Sequence, residues 1–445
     1  MGKIEKIWEY DVSQRQSGGL GPLIADINND GKMEIIVAGD NQPDADFIFV
    51  LKADGTLLWK TQLQYSIVGH NPIETFDLDG DGKLEIIVPG PNAMQVLKSD
   101  GTLYWKNTSI KTSESHIVVV EIDNYPYIFC SDASSTGTAT LKKVDGRTGT
   151  IIKHVSSWYP CHGGLSAGIV KGNLRLFMSD RNFGAGAKGI QSYDTELNLL
   201  WSRPEIGCSS HLPVLVDMNG DGELEVVISQ QRNPGAGIYC INADTGQNIP
   251  GKFQDNIPDL NVHETFPVHN IKEDDTFYLI TSCYSPVVVF NLKTWQKVAT
   301  LGYCGKGPSI AKVFDNKWNI ILADEVSTIR IYDTNFTEII TLNEPSYGAT
   351  VQDIDNDGFN ELIITSPLGV VKAFKTTGIT DTLKPNAGIC YYSTHHARTA
   401  TYIPSIPIPT DVFTLSVEIN LFKNQVSTPI YNEDIDITNI VKIKT

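Results

Sequence analysis

The sequence predicts an all-β chain closed into an eight-bladed β-propeller. Three observations predict it: a unit of roughly 40–50 residues recurs eight times, each unit holds four short apolar segments parted by Gly/Asp/Asn turns, and the N-terminus matches the end of a unit, not its start. The first unit reads GPLIADINNDGKMEIIVAG and DFIFVLKADGTLLWKTQ within residues 21–62. The second reads NPIETFDLDGDGKLEIIVPG and AMQVLKSDGTLYWKN within residues 71–107. Clear copies return from His211 and Gly348, and weaker ones begin at His116, His162, His263 and Gly307. The unit from Gly307 is the faintest, which leaves seven blades as the alternative count.

Within each unit the segments are short and rich in Val, Ile, Tyr and Phe, with no helical period, so they read as strands of an antiparallel meander. The DGTLLWK run at residues 54–60 and its twin at 100–106 read as a tight turn entering an outermost strand. Ile7-Trp8-Glu9-Tyr10 aligns with Leu58-Trp59-Lys60-Thr61, whereas the eighth unit has no clear Trp-bearing fourth strand after Lys375. Residues 4–12 are therefore expected to complete the last blade and leave no long unpaired edge. Residues 1–403 are assigned to the propeller. The Pro-rich run from Pro404 and the strand-like stretch after it, residues 404–445, form a short β-rich tail that either packs on the ring or begins a further domain. The tryptophans at 8, 59, 105, 201 and 295 are expected at matching outer-strand positions, packing between blades.

The 445 residues carry 35 basic and 52 acidic side chains, a formal charge of −17. That balance speaks against nucleic acid as a partner, which needs clustered Lys and Arg. No run approaches a membrane span, so no membrane insertion is expected. The seven cysteines lack a C-x-x-C pair and read mostly as small buried hydrophobes.

The acids are concentrated. D-x-[DN]-x-D-G-x-x-E occurs four times, as Asp26/Asn28/Asp30/Glu34, Asp77/Asp79/Asp81/Glu85, Asp217/Asn219/Asp221/Glu225 and Asp353/Asp355/Asp357/Glu361. Side-chain oxygens at positions 1, 3 and 5, Gly at 6 and an acid at 9 suit the six to eight oxygen ligands of Ca²⁺. Position 12 is Val37, Val88, Ile228 or Ile364, inside β-branched runs, so the loop leads into a strand and is not an EF-hand.

These loops and blades resemble the FG-GAP type of calcium-binding propeller repeat found in integrin alpha subunits and in many secreted microbial proteins. The resemblance is strong in units one, two, five and eight. It implies a loop between the first and second strands of a blade, up to four structural Ca²⁺ ions, and a secreted or cell-surface location whose leader is not part of this chain. Runs such as DLDGDGKLEIIV and DGTLLW are also similar to eight-bladed rhamnogalacturonan lyases.

Five of the nine histidines, His70, His116, His162, His211 and His263, share one register just before the first strand of a unit. In a propeller that connection reaches the mouth of the central channel, on the face opposite the acid loops. Neutral imidazoles there could bind a ligand, and two or three neighbours could hold a transition metal. The reading favoured is an extracellular, calcium-stabilised, monomeric binding or adhesion module for a glycan or a cell-surface protein. The competing reading is a polysaccharide lyase cleaving an acidic glycan by β-elimination, for which His162, His211, Tyr347, Lys306 and Arg181 are the types of group required. A scaffold for a partner or further domain is the third.

Overall fold

The computed structural model describes residues 4–12, 15–16, 22–40, 46–67, 73–112, 117–131, 139–157, 164–179, 189–206, 213–218, 221–230, 237–254, 268–274, 276–281, 285–304, 308–314 and 316–379. The chain separates into two compact units, Met1–Ser405 and Ile406–Thr445. The second unit, and with it the expected β-rich tail, lies outside the described residues.

The described strands form eight antiparallel sheets, seven of four strands and one of five. Seven-blade counting fails because residues 307–342, the faintest unit by sequence, make a full sheet from Ser309–Phe314, Lys317–Ala323, Ile329–Tyr332 and Glu338–Leu342. Its core residues Val313, Ile321, Ile329 and Ile331 are fully buried. The acid loop was what made other units conspicuous, and a blade needs only the alternating apolar strands.

The ring closes as the N-terminal pattern requires. Glu5–Asp11 pairs antiparallel with Val370–Ile379, with Trp8 opposite Ala373 and Tyr10 opposite Val371, completing the sheet of Ala349–Gln352 and Phe359–Thr365. Among the described residues eight apolar clusters form, each between two adjacent blades. The one at the closure joins Ile24, Ile35 and Val37 of blade one to Ile354, Ile363 and Val371 of blade eight. On three of the first strands a hydroxyl ties its blade to the next. Ser166 donates to Pro213 O at 2.7 Å, Ser309 to Ala349 O at 2.7 Å, and Thr350 to Pro22 O at 2.8 Å across the closure.

Outer strands are latched by tryptophan. Trp8, Trp59, Trp105 and Trp201 donate their indole N–H to Ala53 O, Ser99 O, Gly146 O and Ala243 O, at 2.8–3.1 Å, in the third-to-fourth-strand turn of the following blade. Each ring lies on a turn glycine held at positive φ, Gly55, Gly101, Gly149 or Gly246. The expectation of inter-blade packing holds for these four. Trp295 also packs between blades, against the cluster joining blades five and six with the Lys252 ammonium 5.7 Å from its ring, but it departs in position: it lies inside a turn at φ 59, between Ser285–Asn291 and Gln296–Cys304, and meets Phe290 edge-on. The latch onto that turn is Lys252, whose ammonium donates to Leu292 O and Lys293 O at 3.0 and 2.8 Å. A lysine there hid the register from a search for Trp.

Candidate metal centres and the channel mouth

A four-stranded meander alternates its connections between two ends. The first-to-second and third-to-fourth turns share one face of the ring, and the remaining connections share the other. Each acid loop is a first-to-second connection that delivers its ninth residue at or near the start of a buried strand, as the first residue of Glu34–Asp40, Glu85–Val88 and Glu225–Gln230 and the third of Phe359–Thr365.

The loops fold alike because their acids first satisfy their own backbone. Asp26 accepts from Asp30 N and Gly31 N at 3.1 and 2.8 Å, and Asp353 accepts from Asp357 N and Gly358 N at 3.2 and 3.0 Å. Asp77 does the same for Gly80 N and Gly82 N, and Asp217 for Asp221 N and Gly222 N. Gly31, Gly82, Gly222 and Gly358 all sit at φ 82–89, and a Cβ would meet nothing within 4 Å at Gly31, Gly222 and Gly358 and only the Asn29 amide, at 3.5 Å, at Gly82, so what a glycine supplies at position 6 is chiefly the left-handed turn. The glutamate at position 9 reaches back to the N–H of position 2: Glu34 to Ile27, Glu85 to Leu78, Glu225 to Met218 and Glu361 to Ile354, at 2.7–3.0 Å.

Those four glutamates are almost wholly buried, at 1–3 % exposure. Burial pushes each carboxyl up to about 7, with the loop aspartates adding to the rise and the backbone N–H opposing it. A buried acid facing further acids is costly unless a cation joins them. Two loops bring three carboxylates within 4.8 Å of one another: Asp77, Asp79 and Glu85, and Asp353, Asp355 and Asp357. In the latter loop Oε1 of buried Glu361 has no hydrogen-bond partner, the orphaned oxygen that a hard cation would satisfy. Two lysines already lean on these acids, Lys98 on Asp79 at 3.2 Å and Lys375 on Asp357.

The sequence pattern places more ligands together than the structure does. Asp81, expected at position 5 of loop two, is not in the group formed by Asp77, Asp79 and Glu85. Loop eight shows why: there Asp353 Oδ1 holds the N–H of Asp357 itself, whereas in loop two Asp77 Oδ1 is taken by Gly80 N at 2.7 Å. Asp81 is therefore not drawn to Asp77 in the same way, and its Oδ1 accepts from Lys83 N at 2.8 Å. In loop one Asp26, Asp30 and Glu34 do not gather within that distance either, nor do Asp217, Asp221 and Glu225 in loop five. In loop five Asn219 lies outside the described residues.

Blade six holds a relative of this loop that the motif missed. Asn270 accepts from Asp274 N at 3.0 Å and Asp274 from Thr276 N at 2.7 Å, the hydrogen bonds of positions 1 and 5, but Lys272 and Tyr278 take positions 3 and 9. The Lys272 ammonium lies 5.5 Å from the Tyr278 ring and 5.3 Å from that of Phe336. A side-chain cation over aromatic faces stands where the other loops carry acids. Its signal in the sequence is N-x-K-x-D with the glycine gone.

His70, His116, His162, His211 and His263, together with Lys306 and Arg181, lie outside the described residues. Tyr347 is described. It is buried just ahead of Ala349–Gln352, and its N–H donates to Thr365 O at 3.3 Å. His269 is a different histidine, buried against Trp318 with ring centroids 4.2 Å apart, and burial lowers its pKa to about 4, so it stays neutral. Among the described residues no helix is long and apolar enough to cross a membrane.

An FG-GAP-like repeat model matches residues 26–88, the first two acid loops and the blade material between them. A search of curated proteins gives no match. Among solved structures the chain is similar to BamB from Moraxella catarrhalis, at 14 % identity, TM-score 0.55, and coverage of 84 % of this chain and 100 % of that one. It is similar to Sqt1 from Saccharomyces cerevisiae at 10 % identity, TM-score 0.59, with 84 % and 99 % covered. The quinohemoprotein alcohol dehydrogenase of Comamonas testosteroni matches at 9 % identity, TM-score 0.59, with 85 % and 77 % covered. Identities so low carry the fold and not the chemistry. The chain is thus an eight-bladed β-propeller related in fold to other propeller proteins, with an FG-GAP-like repeat over residues 26–88.

Proposed function

We propose that this protein is a calcium-stabilised binding module. Calcium held in the acid loops stiffens one face of the ring, and the opposite face presents the ligand site. The observation that carries the calcium half is the orphaned, buried Oε1 of Glu361 beside the three clustered carboxylates of its loop. The residues present fit a hard cation: Asp26, Asn28, Asp30 and Glu34, and their counterparts in the other loops, are all oxygen donors, with glycine at the turn. Calcium would supply positive charge where buried glutamates otherwise have to keep their protons, and it would draw in donors such as Asp81 that stand apart without it.

Binding is the reading favoured for the ring because the four repeated acid loops all lie on the stabilising face, while Asp46, a buried acid in a connection of the opposite face, is engaged by the Ile67 N–H. The partner proposed is a glycan or a cell-surface protein at the mouth lined by His70, His116, His162, His211 and His263, with a secreted or surface location that lets millimolar calcium fill the loops. The test has two arms. Calcium should raise the melting temperature and a chelator lower it, and an unchanged midpoint would sink the calcium half. A glycan array probed with the calcium-loaded protein should give hits that His211→Ala weakens without lowering the melting temperature; equal binding by that variant removes the histidine mouth from the proposal.

A further inference from the structure

Three of the four acid loops are neighbours around the ring: those of blades eight, one and two, spanning the closure where the chain's N-terminal strand joins its last blade. The fourth, in blade five, stands between a two-residue turn at Lys171-Gly172 in blade four and the lysine-bearing loop of blade six. We propose that the loops of blades eight, one and two form one coupled calcium-binding unit that locks the closure, while the loop of blade five binds independently. This inference rests on the calcium reading above.

The coupling runs through position 4. In loop eight this residue is Asn356, at φ 62, and its side-chain amide donates to Gly31 O, at position 6 of loop one. In loop one it is Asn29, at φ 60, and its amide nitrogen lies 3.5 Å from where a Cβ on Gly82, position 6 of loop two, would stand. The same residue type, in the same left-handed conformation, is aimed at the same position of the next loop in both cases, hydrogen-bonded to it from loop eight and close beside it from loop one. Loops two and five have Gly80 and Gly220 there instead, and the blades that follow them carry no full acid loop. Asparagine thus occurs at position 4 only where there is a loop to reach.

Each contact lands where it matters. Gly31 N–H is held by Asp26 and Lys32 N–H by Asp30 at 2.8 and 2.9 Å, so the Asn356 amide fixes the peptide between the two residues, ahead of the Lys32 carbonyl at position 7. A second bridge joins loops one and two. Ile27 N–H is bound by Glu34, while Ile27 O accepts from Leu84 N at 2.9 Å, next to Glu85. Ordering one loop therefore prepays part of the ordering of the next, which is positive coupling, and it is reciprocal. Repulsion between neighbouring ions opposes it but is screened at these exposed loops in physiological salt.

Calcium titration of the full chain by calorimetry at physiological ionic strength tests this. Glycine is the residue loops two and five already use, so Asn29→Gly and Asn356→Gly remove the amides while keeping the positive φ. Wild type is expected to show a cooperative set plus one independent site. The double variant should lose the cooperativity, with affinity at the coupled sites falling by about fivefold to tenfold, while Asp217→Asn removes only the independent site. Ions that bind wild type without cooperativity, or a double variant that titrates like wild type, overturn the coupling and leave the calcium reading standing. No bound calcium in wild type overturns both.

Discussion

The indole of Trp8 lies flat on Gly55, so close that a Cβ on that glycine would stand 2.5 Å from the ring. Trp8 sits in the N-terminal strand and Gly55 in the turn of blade one, so this latch joins blade eight to blade one. Gly31 and Gly55 share nearly the same φ, 84 and 80, but a Cβ on Gly31 would meet nothing within 4 Å. Gly31→Ala should therefore cost about 1 kcal/mol, the left-handed penalty alone. Gly55→Ala should cost about 2–4 kcal/mol, since the ring must also move. Chemical denaturation of both variants, read in the same calcium concentration, measures the difference. Equal losses would mean that the latch is slack.

The closure as a whole carries a stronger expectation. Deleting residues 1–12 removes the strand opposite Val370–Ile379, the Trp8 latch and the Val12 contact in the closing cluster. It exposes a full strand edge and the apolar side of Phe374 and Ala373. The truncated chain should melt well below the full one and associate on storage, followed by calorimetry and light scattering. A truncated chain that stays monomeric with an unshifted melting temperature would contradict the packing described here.

Much of this fold was legible because propeller blades repeat, and the repeats that keep both acid loop and tryptophan announce themselves. The closing strand could be read from Trp8 alone, since a tryptophan in that context belongs at the end of a blade. What the sequence hid were the substitutions that keep a contact while changing its chemistry. Lys252 latches a turn as tryptophan does elsewhere, by giving its N–H groups to turn carbonyls. Lys272 and Tyr278 stand at positions 3 and 9 of the blade-six loop, which keeps only Asp274 of the motif's acids. Trp295 shares the residue type of the outer-strand tryptophans but not their register, and lies in a turn. Asp81 fits the motif as well as Asp357 does, yet only Asp357 joins its loop's trio, because which backbone N–H the first aspartate takes is not written in the spacing. The coupling of Asn356 to Gly31 spans 325 residues, and only ring closure brings the two together.

Removing the acid at position 9 should separate its two duties. Glu361 binds Ile354 N–H through Oε2 and leaves Oε1 free. In Glu361→Gln the carbonyl oxygen can still accept that N–H, and the neutral side chain no longer has to shed a proton in a buried place. Without calcium the variant should be at least as stable as wild type at pH 8. With calcium it should be less stable, by about 1–3 kcal/mol, because a charged ligand is missing. Melting each protein with calcium and with chelator gives the four values needed. A variant that loses the same stability in both conditions would assign Glu361 a packing role only.

The last expectation concerns pH. Burial and the neighbouring aspartates raise Glu34, Glu85, Glu225 and Glu361 to about 7 in the ion-free protein, whereas an unfolded glutamate titrates near 4.3. Between those values the folded chain holds protons that the unfolded chain has already released. Stability of the ion-free protein must then fall as pH rises through about 4.5–7 and stay low above it. Calcium reverses the slope, because its binding takes the deprotonated glutamates and grows stronger as protons leave. In chelator the melting temperature should drop by on the order of 5–10 °C between pH 5.5 and 8; in calcium it should hold or rise. The gap between the two curves should therefore be small at pH 5.5 and wide at pH 8. Curves that run parallel across that interval would show that the four glutamates do not exchange their protons for an ion.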